Sequence, residues 1–345
     1  MSFFRLTRRD AAFAAAAALA CAALPAAVVP AAAETKIKIG YIPVLGSSQL
    51  FVIEGEGWAK AEGLDLDLVR FGSGPQAMQA LAAGQLDAYL AGVLPLLVAR
   101  SKGVDVKVVA AGAIEELQLV GRGALVEAAK ASGGDMKAAF AAFTKAQGRK
   151  PKLAAQPAGS VPDTLLRYWL EQTGVDAASV DIASIDIDAA QQAFLASSVD
   201  AAVLREPAVT VALDRVKDAK ILVDGHQFMP DQPGSALAFY KPQALIDSGV
   251  GAKLLKLHIR ATAFLKNEPD RAAPHILAAL GSGLLTEAQI KSALKGSRGT
   301  FVADPARIVD SVAKLQDFQV KLGVVRRATP VAELFDLDLY RRVAP

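Results

Sequence analysis

Cysteine is almost missing from this chain of 345 residues, and the single example is Cys21. With Cys21 inside an N-terminal leader, the body can form no internal disulfide, thiolate metal site or cysteine nucleophile. Histidine is scarce as well: His226, His258 and His275 are the only three. No phosphate loop of the Walker type and no His-rich metal pair occurs, and Gly72-Ser73-Gly74-Pro75 lacks the third glycine of a dinucleotide fingerprint. An excess of one charge is also lacking. Lys and Arg total 38 against 35 Asp and Glu, a formal net charge of +3. Most of that excess belongs to Arg5, Arg8 and Arg9, so no basic face for nucleic acid is implied. At 52% hydrophobic and 21% charged, the composition is that of a globular protein.

What is there begins with a leader. Residues 1–10 are polar and basic, Ala11 to Ala33 carry no charge, and Pro30-Ala31-Ala32-Ala33 reads as a small-residue cleavage site. This predicts a secretory signal peptide over residues 1–33. Pro25 and Pro30 interrupt the apolar run, which argues against a membrane anchor. Thr7-Arg8-Arg9 is similar to a twin-arginine export signal, although Ala11 stands where that motif usually has a bulkier residue. Cys21 is either lipidated or lost with the leader, and Ala18-Leu19-Ala20 before it favours loss.

One phrase occurs twice. Gln79-Ala80-Leu81-Ala82-Ala83-Gly84-Gln85-Leu86-Asp87-Ala88 is echoed by Gln192-Ala193-Phe194-Leu195-Ala196-Ser197-Ser198-Val199-Asp200-Ala201. Each copy reads as a helix end, a tight turn, Asp-Ala and a short apolar strand, which is half of a parallel β/α unit. The two aspartates lie 113 positions apart, a spacing suited to two similar lobes and too long for a solenoid.

The flanks agree. Strands are predicted at 36–42, 64–69, 104–110, 117–120, 152–155, 180–185, 220–223 and 235–240. A helix is expected over 49–62, capped by Ser47 or Ser48, and Asp188 with Gln191 makes a capping box for the helix before Asp200. Residues 124–147 carry helical spacing broken at Gly133-Gly134. The C-terminal part is helical over 243–248, 251–267, 269–280, 286–294 and 304–322. The fold class is therefore α/β, two doubly wound lobes joined by a two-strand hinge. Residues 34–122 and 234–345 would form lobe 1, and residues 123–233 lobe 2.

Ligands in such sheets sit beyond the carboxyl ends of the strands. The loops there offer Gly46, Ser47 and Ser48; Gly72, Ser73 and Gly74; Gly92 and Val93; Glu115, with Glu116 beside it; Gly159, Ser160 and Val161; Asp186; and Arg205 with Glu206. Small residues let backbone N–H groups approach a ligand, and helix starts favour an anion. Singly, each is also an ordinary turn or cap. Arg205 can meet an anionic ligand or pair with Glu206. Glu115 and Glu116 can receive an amine, hydrogen-bond a heterocycle or face solvent. Glu206 can supply negative charge to a helix N-terminus. Ser160 has no evident histidine base, so no catalytic residue is assigned.

These residues resemble the periplasmic solute-binding proteins of ABC importers, in the nitrate/sulfonate/taurine and thiamine-precursor group. The resemblance rests on Ile39-Gly40-Tyr41-Ile42-Pro43, the run at 80–88, Gln156 to Leu166, and Val199-Asp200-Ala201-Ala202-Val203-Leu204-Arg205-Glu206-Pro207. It spans nearly all of the chain after the leader. It implies a type II periplasmic-binding-protein-like fold, a small organic solute (an anion among the candidates), a membrane permease as partner, no cofactor or metal, and a monomer in the periplasm. The family commonly has Trp before Glu-Pro where this chain has Arg205, so its aromatic platform does not carry over. Residues 124–150 are longer than usual. The rivals are a same-fold enzyme of pyrimidine or quinone-precursor metabolism and a ligand-sensing module that binds a partner protein. The pyrimidine-synthesising relatives use a cysteine-rich segment, which the body of this chain lacks.

Overall fold

The computed structural model of the chain describes residues 34–281, 283, 285–296 and 300–344. The expected leader, with Cys21 and the arginine pair, lies outside these residues.

Twelve strands form three sheets among the described residues. They are β1 (Thr35–Tyr41), β2 (Leu64–Arg70), β3 (Ala88–Gly92), β4 (Val106–Ala111), β5 (Ala113–Ile114), β6 (Gln118–Gly121), β7 (Lys152–Ala155), β8 (Asp181–Ser184), β9 (Ala201–Leu204), β10 (Lys220–Val223), β11 (Ser235–Tyr240) and β12 (Thr300–Phe301). The first sheet runs β2-β1-β3-β11-β4, and the second, read from its far edge, β8-β7-β9-β6-β10. In each, four of the five strands run the same way and the fourth in order is antiparallel to both neighbours. That fourth strand belongs to the segment crossing between the sheets: β6 arrives in the second and β11 returns to the first. The third sheet is the short pair β5–β12 beside the first crossing.

Alternation in the sequence sets the faces. In β1, Ile37 and Ile39 are buried while Lys36 and Lys38 are exposed; in β2, Leu64 and Leu66 point inward and Asp65 outward. One face of the first sheet packs under the C-terminal helices, where Ile37, Ile39 and Phe239 meet Leu254, Leu255 and Leu265. A further core is built from Tyr89, Val93, Leu97, Phe140, Leu165 and Trp169. Burying each such side chain contributes about 1.5–3 kcal/mol.

Several local expectations are corrected. The helix predicted over 49–62 is two, Ser48–Gly55 and Trp58–Ala61. Gly57 lies between them at φ +70°, a left-handed conformation that glycine adopts without a Cβ clash. Ser47 does not cap the first of these, because its hydroxyl donates to the Leu90 carbonyl at 3.1 Å. Asp188 forms no capping box; its carboxylate is taken by Arg70, and Asp186 is the N-cap residue of Ile187–Leu195. The stretch 304–322 starts as a 3₁₀ turn, Pro305–Ile308, before the helix Val309–Lys321. The helix Leu337–Val343 and the β5–β12 pair carried too few residues to show in the pattern.

Candidate functional site

Loops from both large sheets meet at the carboxyl ends of β1, β3, β7 and β9. Contacts join them directly. Leu45 donates its N–H to the Glu206 carbonyl at 2.9 Å, and Ile187 to that of Gly72 at 3.1 Å. Gln76 Nε2 donates to Asp186 Oδ2 at 3.1 Å, and Arg70 Nη2 reaches Asp188 at 2.7 Å. A cavity of about 450 Å³ opens at this junction, lined by Pro43, Arg70, Ile187, Gln191, Arg205 and Leu280 among others.

Arg205 is the centre. It follows β9, and its residue is only 2% exposed. Its Nη1 lies 3.5 Å from Glu116 Oε1, and none of Nε, Nη1 and Nη2 has a hydrogen-bond acceptor. A guanidinium has five donors, and burying it with all of them unused is costly unless something supplies acceptors. Glu116 is also buried; Ser235 Oγ donates to its Oε1 at 2.9 Å. The surrounding glycines leave space for this pair. A Cβ on Gly46 would stand 2.3 Å from Glu116 Oε2, and one on Gly234 2.5 Å from Oε1. A Cβ on Gly92 would lie 3.6 Å from Arg205 Nη2 and 3.0 Å from Val161 Cγ2.

Behind the cluster, side chains hold the backbone in place. His258 Nε2 donates to the Ala111 carbonyl at 2.6 Å, and Gln49 Nε2 to that of Gly112 at 2.8 Å. Burial pushes His258 down to about 4, the Ala111 carbonyl opposing only in part, so the ring is neutral at pH 7. Tyr89 donates to the Gly92 carbonyl at 2.7 Å. Burial raises its phenol well above the usual range, with Arg205 pulling the other way.

Of the residues singled out in the sequence, Gly46, Gly92, Val161 and Arg205 lie together. Gly72 faces Asp186, where a Cβ would come within 3.1 Å of the carboxylate, and Gly74 abuts Tyr89. Ser48 and Ser73 are buried with hydroxyls that have no partner. Ser160 is a cap: its Oγ accepts from Asp163 N at 3.2 Å. Val93 spends its N–H on the Gly234 carbonyl at 3.1 Å, and the Gly159 carbonyl accepts from Gln319 Nε2 at 3.2 Å. Glu206 does not meet Arg205. Its carboxylate accepts from Thr210 N, in the first turn of the helix Ala208–Arg215. Glu115 is turned away from the cluster, towards His226 Nδ1 at 3.0 Å and Asp231 N at 2.8 Å. Its φ of +51° breaks the alternation, and so Glu116, not Glu115, faces Arg205. Ser235, Gly234, Gln49 and His258 carried no motif. Among the described residues, no group of three or more His, Cys, Asp or Glu is placed to hold a metal ion.

The chain is 28% identical, over 308 residues, to a Bacillus subtilis (strain 168) protein named for binding aliphatic sulfonates; the match covers 87% of this chain and 86% of that protein. The periplasmic nitrate-binding protein NrtA from Synechocystis PCC 6803 shares the fold, with a TM-score of 0.76 at 15% identity, covering 90% of this chain and 88% of that one. The periplasmic aliphatic sulphonate binding protein SsuA from Escherichia coli does so with a TM-score of 0.69 at 20% identity, covering 89% and 99%. These likenesses show the two-lobe fold. The NMT1-like family matches residues 30–280, well over half of the sequence, and the chain belongs to that family.

Proposed function

We propose that this protein is the extracytoplasmic solute-binding component of an ABC importer. It captures a small organic solute between lobe 1 (34–122 and 234–345) and lobe 2 (123–233), and delivers it to a membrane permease. It acts as a carrier, not an enzyme, in the periplasm, exported by the leader over residues 1–33. The observation that carries the reading is Arg205, a buried guanidinium with no acceptor of its own, set where loops from both sheets converge. Binding in such a cleft goes with hinge closure, and the crossings through β6 and β11 are the hinge.

The relatives support the same reading, since they are named as binding proteins and two as periplasmic. Among the described residues no helix is long and apolar enough to cross a membrane. The test is a thermal-shift screen with nitrate, bicarbonate, sulfonates, carboxylates, amines, pyrimidines and flavin precursors. A solute at a hundred times its dissociation constant stabilises the fold by about 2.7 kcal/mol. The expected result is a hit recovered with its mass unchanged. A hit recovered chemically altered would make the protein an enzyme.

A further inference from the structure

Among the described residues, the ionisable side chains buried at the cleft are Arg205, Glu116 and Glu206. Glu206 is accounted for, because its carboxylate sits at a helix N-terminus and accepts from Thr210 N. That leaves one positive and one negative charge, Arg205 and Glu116, in balance. A solute with a net charge would add a buried charge without a counter-charge, which is costly in a water-poor site. A solute with both signs would not.

Arg205 lacks acceptors altogether, and Glu116 has one donor, the Ser235 hydroxyl on Oε1, which leaves its carboxylate room to accept more. Arg205 Nη1 and Glu116 Oε1 are 3.5 Å apart without a hydrogen bond between them, and all three guanidinium nitrogens want acceptors. Shape narrows the choice. The guanidinium lies beside Gly92 and Val161, in a slot where even a methyl group on Gly92 would press on Val161. A planar carboxylate meets a guanidinium fork to fork, whereas a tetrahedral head brings a third oxygen out of that plane. Glu116 is hemmed in by Gly46 and Gly234, so its partner must be compact. An ammonium group is compact and an aromatic ring is not.

We propose that the solute is an amino carboxylate, whose carboxylate pairs with Arg205 and whose protonated amine pairs with Glu116. The inference rests on the carrier reading and names the class of its solute. It replaces one poorly satisfied ion pair by two satisfied ones, at no change in buried net charge.

The test is calorimetric titration of the intact protein with matched sets: glycine, the common L-α-amino acids, β-alanine and 4-aminobutyrate; the same acids without the amine; the same amines without the acid; and the corresponding amino sulfonates. Nitrate and simple alkanesulfonates complete the panel. At least one amino carboxylate should bind, with its three counterparts at least tenfold weaker. Its affinity should fall as pH rises through the pKa of its own amine. Glu116→Gln should shrink the preference over the acid without the amine to less than about threefold. The wild-type series decides even where that variant is less stable. An acid without an amine, or an amino sulfonate, binding as tightly as the amino carboxylate would overturn the inference and leave the carrier reading standing. Binding by no member of the panel would overturn the inference alone, because the carrier reading stands or falls on the wider set of solutes screened above.

Discussion

Asp87 and Asp200 make the same bond in the two halves of the molecule. Each carboxylate accepts a backbone N–H from the neighbouring parallel strand, that of Lys38 in β1 and of Lys152 in β7, both at 2.8 Å. Each aspartate also returns its own N–H to the carbonyl of that same lysine at 2.8 Å. The phrase repeated in the sequence is therefore a repeated joint. It closes the turn before β3 and β9 and sets their registers, Ile39 opposite Ala88 and Leu153 opposite Ala201. Those registers fix where Gly92 and Arg205 emerge.

The joints differ in strength, and this gives a prediction. Asp200 also holds Arg149 through both guanidinium arms, at 2.6 and 2.8 Å. Burial pushes its carboxyl up, but the bonds from Arg149 and Lys152 outweigh that and hold it below the usual carboxylate range. Losing a carboxylate that serves a backbone N–H costs about 1–3 kcal/mol. Asp200→Ala should therefore cost more than Asp87→Ala in urea denaturation at pH 7. A depressed folded-state pKa means stability that is present above the unfolded value and lost as pH falls through the folded one. The gap between Asp200→Ala and wild type should thus narrow below about pH 4. Equal costs for the two variants, or a gap independent of pH, would refute this.

His258 makes a second pH prediction at a higher window. Its folded pKa of about 4 lies below the ordinary 6.5. The unfolded chain takes up a proton that the folded one refuses, so stability is present above pH 6.5 and lost as pH falls towards 4. The loss at the bottom of that window approaches about 3 kcal/mol. His258→Gln should flatten the curve between pH 6.5 and 4, at the expense of stability at pH 7. Urea midpoints at pH 7, 5.5 and 4 measure it, and a variant as steep as wild type would sink the idea.

The sheets were legible because alternation and the repeated Asp-Ala are local signals, strong in β1, β2, β3 and β9. Arg205 was legible as the one cation among the small-residue loops. Its partner was not. Two successive glutamates offer no local clue to which points inward, and the answer depends on the left-handed turn at Glu115, which the β5–β12 and β11 contacts impose. Asp188 looked like a cap because capping is local, whereas Arg70 reaches it from 118 residues away. Ser235, Gln49 and His258 act through the tertiary fold alone.

Arg205 and Glu116 should behave as one unit in stability. Glu116→Gln leaves a buried guanidinium without its counter-charge, and breaking a buried pair from one side costs about 3–5 kcal/mol. Arg205→Met alone should cost a similar amount by stranding Glu116. The double variant, neutral at both positions, should recover most of the loss. Urea unfolding of the four proteins at pH 7 gives the coupling, and additivity within about 0.5 kcal/mol would show that the two side chains do not interact.

The Arg70–Asp188 pair should matter for affinity and scarcely for stability. Arg70 ends β2 and Asp188 opens the helix leading to the second joint, so the contact spans the cleft. Its side chains are 48% and 58% exposed, and solvent-exposed pairs contribute about 0.2–1 kcal/mol. Under the proposed hinge closure the pair would form only when the lobes are together, and its energy would weight the closed state. By population shift, losing up to about 1 kcal/mol there lowers the closed fraction, and the affinity with it, by at most about fivefold. Asp188→Asn should leave the melting temperature within about two degrees of wild type, because it removes nothing from either core. It should weaken solute binding a few-fold, mainly through faster release, and the effect should fade in high salt as the wild-type pair is screened. A variant that melts much lower with unchanged affinity would place Asp188 in the framework of its lobe and remove it from closure.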